Sequence, residues 1–178
     1  MSKTDERSLL EAPLESLLEA LLDSWDRNNT ILVNLLRAVP EGALDARAVE
    51  GSKTVAEMFL HIHGTRQSLL SEDAPEFALE PLKQGWRETR DPDRIAEMLN
   101  ASAGAVRAAV KNRVETGKQM LVRYDHPILL LQHMVWHEGY HHGQIKLALK
   151  AMGRPLDDEE IGRVTWHVWF DRAEAGSA

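Results

Sequence analysis

The residues with the clearest chemical potential are the histidines. The chain carries eight, and five of them fall between His126 and His142. His133, His137 and His141 are spaced four apart, so on a helix they lie on neighbouring turns of one face. Two imidazoles at i and i+4 can both reach one metal ion, as in other helical zinc sites. The same pair also fits two core histidines satisfied by hydrogen bonds, or a solvated cluster. A shared ion needs a ligand from a second element, because one straight helix cannot converge three groups on one point at good geometry. His61 and His63 are the candidates for that ligand.

The elements that must position these groups can be read from the pattern. Pro127 suits a first helical residue, with Asp125 or His126 as its cap. Gly153 and then Pro155 form a C-terminal stop. The spacing therefore predicts one helix over 127–152. At about 100° per residue, Leu130, Met134, His137, His141, Ile145, Ala148 and Met152 form an inward stripe, with His133 at its flank. Histidines inside such a seam need polar partners, since burying them unsatisfied is costly.

A second helix follows Thr54, which has capping-box spacing with Glu57. His61 and His63 are two residues apart, so they point to different sides and at most one joins a shared site. Val55, Phe59, Ile62 and Leu69 centre the apolar stripe nearer His63, so periodicity favours His63. Upstream, residues 14–39 carry a leucine-rich helical pattern that includes Trp25; Asn28, Asn29 and Asn34 interrupt it and are expected to face solvent, the alternative being a polar contact near the bundle centre. Residues 73–93 hold Pro75, Pro81, Gly85, Pro92 and Trp86, a loop long enough to pack over a site. A third helix runs from Asp91 or Asp93 to about Thr116, with a small face of Ala96, Ala101, Ala103, Gly104, Ala105, Ala108 and Ala109. Near the end, Trp166, Trp169 and Phe170 suggest an aromatic lid or a partner surface, and the tail from Ala173 to Ala178 is expected to fray.

Composition narrows the functional classes. The length of 178 residues suits one domain over 1–178 with a proper core. A net charge of −7 argues against nonspecific nucleic-acid binding, which needs clustered Lys and Arg. With no cysteine, a Cys-ligated metal and a Cys nucleophile are both excluded, and any thiol chemistry needs a thiol brought in as substrate. No signal peptide and no membrane span are expected, which makes a cytoplasmic protein the default. Four long amphipathic segments with two long connections point to an all-α, antiparallel four-helix bundle, where sites are built from inward side chains on facing helices.

At this level the chain resembles the DinB/YfiT-like superfamily of bacterial four-helix bundles. The phrase VAEMFLHI resembles the family's S-V-x-E-x-L-x-H-L/I, and HEGYHHGQI resembles its H-x-x-x-H-R-G-Q-I. The long first helix, the loop after the second helix and the terminal W-x-x-W fit as well. The resemblance implies a DinB-type bundle with a divalent metal, zinc or nickel, held by His61, His137 and His141. On this point it departs from the apolar stripe, and the family phrase is followed. It further implies a homodimer and a small-molecule substrate, possibly a thiol, used by a metal-dependent thiol S-transferase or a hydrolase. The alternative is a non-catalytic metal-binding protein of a stress response. Where the family usually has Arg before Gly-Gln, this chain has His142. Glu57, Arg66, Glu138 and Gln144 are candidates for contacts behind the ligands or with substrate. The first three read more simply as surface or helix-pairing residues, and Gln144 lies nearest the seam.

Overall fold

The computed structural model describes residues 3–82 and 84–170, with side chains from Leu14 onward. The expected fraying of the terminal tail lies outside these residues. Four long helices form the bundle: α1 (Lys3–Ala38), α2 (Val55–Asp73), α3 (Pro92–Thr116) and α4 (Pro127–Ala151). A short α5 (Asp158–Val164) follows, and no strand occurs among the described residues. No described helix is long and apolar enough to cross a membrane.

Local chemistry sets the helix ends. Thr54 accepts a hydrogen bond from the Glu57 amide while the Glu57 carboxylate accepts one from the Thr54 amide, a complete capping box. Asp91 caps α3 by accepting from the amides of Asp93 and Arg94. At α4, His126 rather than Asp125 is the cap, its ring accepting from the Ile128 amide at 3.2 Å. Gly153 follows α4 with φ of +71°, a left-handed turn that only glycine enters without strain. Met152, expected on the inward stripe, instead lies beyond the last helical turn and is exposed.

Side-chain partners give the helix directions. Trp25, Asn29 and Lys111 of α1 and α3 join Ala103, Asn100 and Glu19 respectively, so these neighbours are antiparallel. His63 meets Met98, Arg66 meets Leu99, and Glu76 just past α2 meets Arg113, so α2 and α3 run the same way. Two parallel neighbours cannot be joined by a tight turn, and the long crossover of residues 74–91 makes the return. α4 runs against α2: Val55 and Phe59 share one core cluster with Ile145 and Leu149, and Leu69 and Leu70 share the other with Leu130 and Leu131, which sets His137 and Glu138 beside His61 and Arg66.

The core divides into two apolar clusters, one at each end of the bundle. One holds Leu32, Leu36, Phe59, Ile95, Leu99, Ile145 and Leu149. The other holds Leu22, Trp25, Leu70, Val106, Val110, Leu130 and Met134. They meet at a polar layer to which every long helix contributes: Asn28 and Asn29 from α1, Arg66 from α2, Ser102 from α3 and Glu138 from α4. Arg66 and Glu138 have no solvent exposure and pair in a bidentate fork, Nε to Oε1 at 2.7 Å and Nη2 to Oε2 at 2.8 Å. Arg66 Nη1 donates to Asn29 Oδ1, the Leu99 carbonyl and Ser102 Oγ. Asn28 donates to Glu138 Oε2 at 2.6 Å, and the guanidinium lies 4.7 Å from the Trp25 ring centre.

Asn28 and Asn29 therefore do not face solvent as expected, and Arg66 and Glu138 are not surface residues. Their partners lie far away in sequence, and each side chain is hydrogen-bonded, which is the condition for burying it. Asn34 is partly buried and donates to the Val164 carbonyl at 2.7 Å. The small residues of α3 do not share one face: Ala96, Ala103 and Ala109 are buried, while Ala101, Gly104 and Ala108 are exposed. The terminal turn Trp166–Trp169 packs back on α1 through the Val168 carbonyl and Arg27, with Trp166 and Phe170 left largely exposed.

Candidate metal centre

His61 on α2 meets His137 and His141 on α4 at the level of the polar layer. One ring nitrogen from each of these three side chains lies within 4.8 Å of the other two. Ring centres are 5.3 Å apart for His61–His137, 4.9 Å for His61–His141 and 4.5 Å for His137–His141. His63 is not part of this group. Its Nδ1 lies 2.9 Å from the Met98 carbonyl on α3, and its ring stands edge-on to Trp86 at 5.4 Å. The grouping is the one the family phrase implies, not the one the apolar stripe favours. The physical reason is that α2 touches two neighbours: His63 faces α3, and His61 faces α4. His133 is exposed and pairs with the Tyr124 hydroxyl at 2.8 Å.

The donor set fits a cation. His141 Nδ1 lies 2.7 Å from Gln144 Oε1. A carbonyl oxygen only accepts, so Nδ1 carries the proton and Nε2 is left with its lone pair. That Nε2 sits 3.2 Å from Nε2 of His137. Two nitrogens bound tetrahedrally to one zinc ion at ~2.0–2.1 Å would be about 3.3 Å apart, close to the observed separation. His137 Nδ1 is buried without a hydrogen-bond partner. Gln144 thus fixes the ring and tautomer of His141, the usual part of a residue behind a metal ligand.

The electrostatics also favour neutral rings, the form that ligates. Burial, followed by the charges of His141 and His61, pushes His137 down to about 4. Burial lowers His61, helped by His141, Lys53 and Arg87. Burial lowers His141 too, against the opposing hydrogen bond from Gln144. Beside His61 opens a pocket of about 630 Å³, walled by the first turns of α2, the connector before it and Trp86 of the crossover. Trp86 packs over Gly64, where a Cβ would stand at 3.4 Å, in van der Waals contact with the ring.

The model of the DinB family matches residues 7–159, most of the chain. The chain belongs to the DinB family. No curated protein and no solved structure matches it. Within this DinB protein, Glu57 is occupied by the capping box, while Arg66 and Glu138 form the polar layer behind the histidines. His142, in place of the family arginine, is half-buried on α4. Sequence reading missed the pocket cations Arg47, Lys53 and Arg87, which sit in connectors without a periodic pattern. It read Arg66 and Glu138 as surface or helix-pairing residues; they do pair α2 with α4, but fully buried. A signal was present: Arg66 follows Ile62 by four residues, and Glu138 follows Met134 by four, so both lie on buried stripes.

Proposed function

We propose that His61, His137 and His141 hold a divalent ion, zinc or nickel, and that the protein is a metal-dependent enzyme acting with a low-molecular-weight thiol, in the manner of a thiol S-transferase. The convergence of three neutral imidazoles beside an open pocket carries this reading. When bound, such an ion supplies Lewis acidity that favours the thiolate form of a thiol over the thiol. The chain has no cysteine, so the thiol comes with the substrate. Gln144 holds the His141 proton at Nδ1 and leaves Nε2 to face inward. The polar layer fixes α2 and α4 in register, and with them His61 and His137. Trp86, its ring against the edge of His63, walls one side of the pocket.

The test is a screen of zinc- and nickel-loaded protein with small thiols and electrophiles. Turnover that disappears on chelation and in His137→Ala supports the enzyme. Metal bound at one ion per chain without turnover or thiol binding would instead favour a non-catalytic metal-binding role in a stress response.

The depressed histidines give a pH dependence. Each ring's folded value lies below its unfolded value near 6.5, so the unfolded chain takes up more protons as pH falls. The metal-free protein is expected to keep full stability above about pH 6.5 and to lose it progressively toward His137's value of about 4. Metal retention should follow the same direction, because the competing proton binds weakly. We expect little metal loss at pH 6 in dialysis against metal-free buffer. Complete release at that pH would contradict neutral, partly desolvated ligands.

We also propose a homodimer. Leu129, Trp136, Tyr140 and Leu147 form an outward stripe on α4, exposed at 48%, 70%, 56% and 57%, with Trp136 and Tyr140 stacked. So much apolar surface on one helix face is more than a monomer usually leaves open. Light scattering is expected to give twice the chain mass, and Trp136→Glu to give the monomer. A monomeric wild type at micromolar concentration would remove this proposal.

A further inference from the structure

The pocket that His61 lines has a charge opposite to that of the chain as a whole. The protein carries a net −7, yet Arg47, Lys53 and Arg87 all line this cavity of about 630 Å³. Glu57 is the only carboxylate among the lining residues, and its Oε2 is already held by the Thr54 amide at 2.7 Å. Among the described residues, none of the three cations forms an ion pair, whereas nearby Arg90 is paired with Asp45.

Two of these cations are also close to the histidines. The charges of Lys53 and Arg87 both reach His61, and that of Lys53 reaches His141. Arg87 is held rather than loose: its guanidinium lies 4.9 Å from the Trp86 ring centre. Trp86 in turn stands against the edge of the His63 ring. Thr65 adds a hydroxyl to the same wall, whereas the Ser52 hydroxyl is already donated to the Val49 carbonyl. The Arg47 charge also bears on Glu57, so three cations face one carboxylate here, an excess of positive charge that is complementary to an oxyanion.

We propose that this pocket is a subsite for an oxyanion, a carboxylate or phosphate group, on the small molecule that meets the histidine centre. The inference rests on the reading that His61, His137 and His141 hold a metal that engages a thiol. It adds the substrate class: a thiol or its acceptor should carry an anionic group several bonds from the reacting atom.

The experiment compares two thiols on cobalt-loaded protein, followed by thiolate-to-metal charge-transfer absorption. Mercaptosuccinate carries carboxylates, and 1-thioglycerol carries none. We expect mercaptosuccinate to bind at least about tenfold more tightly, the difference one charge-assisted contact typically makes. In the double variant Lys53→Ala/Arg87→Ala, both exposed positions, that ratio should fall toward one with metal content unchanged. Equal binding of the two thiols, or a ratio unaltered in the double variant, would overturn the subsite while leaving the thiol reading intact. If neither thiol produces the absorption band, the thiol reading fails, and the subsite is read from tryptophan fluorescence. Saturable quenching by succinate or by inorganic phosphate, lost in the double variant, then supports it, and the tighter ligand names the group. No saturable quenching by either would overturn it.

Discussion

Replacing Glu138 by Ala is expected to destabilise the protein by about 3–5 kcal/mol, the usual result of removing one partner from a buried ion pair. Arg66 would keep its charge with no solvent exposure and lose both arms of its fork. At roughly 2–4 °C per kcal/mol for a chain of this size, the melting temperature should fall by about 6–20 °C. Denaturant unfolding of the metal-free protein is the cleanest readout, since bound metal would add its own stabilisation. Glu138→Gln keeps the shape and one acceptor, so its effect should be smaller. The double change Arg66→Met/Glu138→Leu removes both charges and should recover part of the loss, the remainder being the cost of leaving buried Asn28 and Asn29 without these partners. A cost below about 1 kcal/mol for Glu138→Ala would mean the polar layer does not hold the four helices together as described.

The second large effect concerns the choice of histidine. His61→Ala, His137→Ala and His141→Ala should each weaken metal binding by on the order of 100-fold or more, exceeding the 10–100-fold typical of residues behind the ligands. His63→Ala and His133→Ala should retain one ion per chain. The structure separates the two sets by distance and by partner. His63 is 3% exposed and spends its Nδ1 on the Met98 carbonyl, so its loss should show in stability and in the position of Trp86. His133 is occupied with Tyr124. Metal content by mass spectrometry on untagged protein reads all five variants. Loss of metal in His63→Ala, with full metal in His61→Ala, would restore the apolar-stripe assignment and overturn the one made here.

Much of this was legible because local signals and the bundle agree. Thr54 with Glu57, Pro127 and Gly153 mark helix ends through chemistry confined to a few residues, and the structure uses all of them. The pair His137 and His141 lay on the inward stripe of α4 for the same reason. The choice between His61 and His63 was not readable from periodicity, because α2 buries a wide arc against α3 and α4 and both histidines fall within it. Asn28 was misread because its partner Glu138 lies 110 residues away, and no local rule reports such a pairing. Met152 was misplaced because the stripe was extended past the point where the helix, and the bundle with it, ends. The cationic pocket is assembled from the connector before α2 and the crossover after it, two irregular segments whose meeting is set only by the complete fold.

The central claim is that three histidines from two helices share one metal ion. X-ray absorption spectroscopy on untagged protein, as purified and after loading with zinc, tests it most directly. We expect one ion per chain with multiple scattering from three imidazoles and nitrogen neighbours at about 2.0–2.1 Å for zinc, together with at least one further light-atom ligand. Protein that takes up no metal, or an ion whose imidazole signal survives unchanged in His61→Ala, would contradict it.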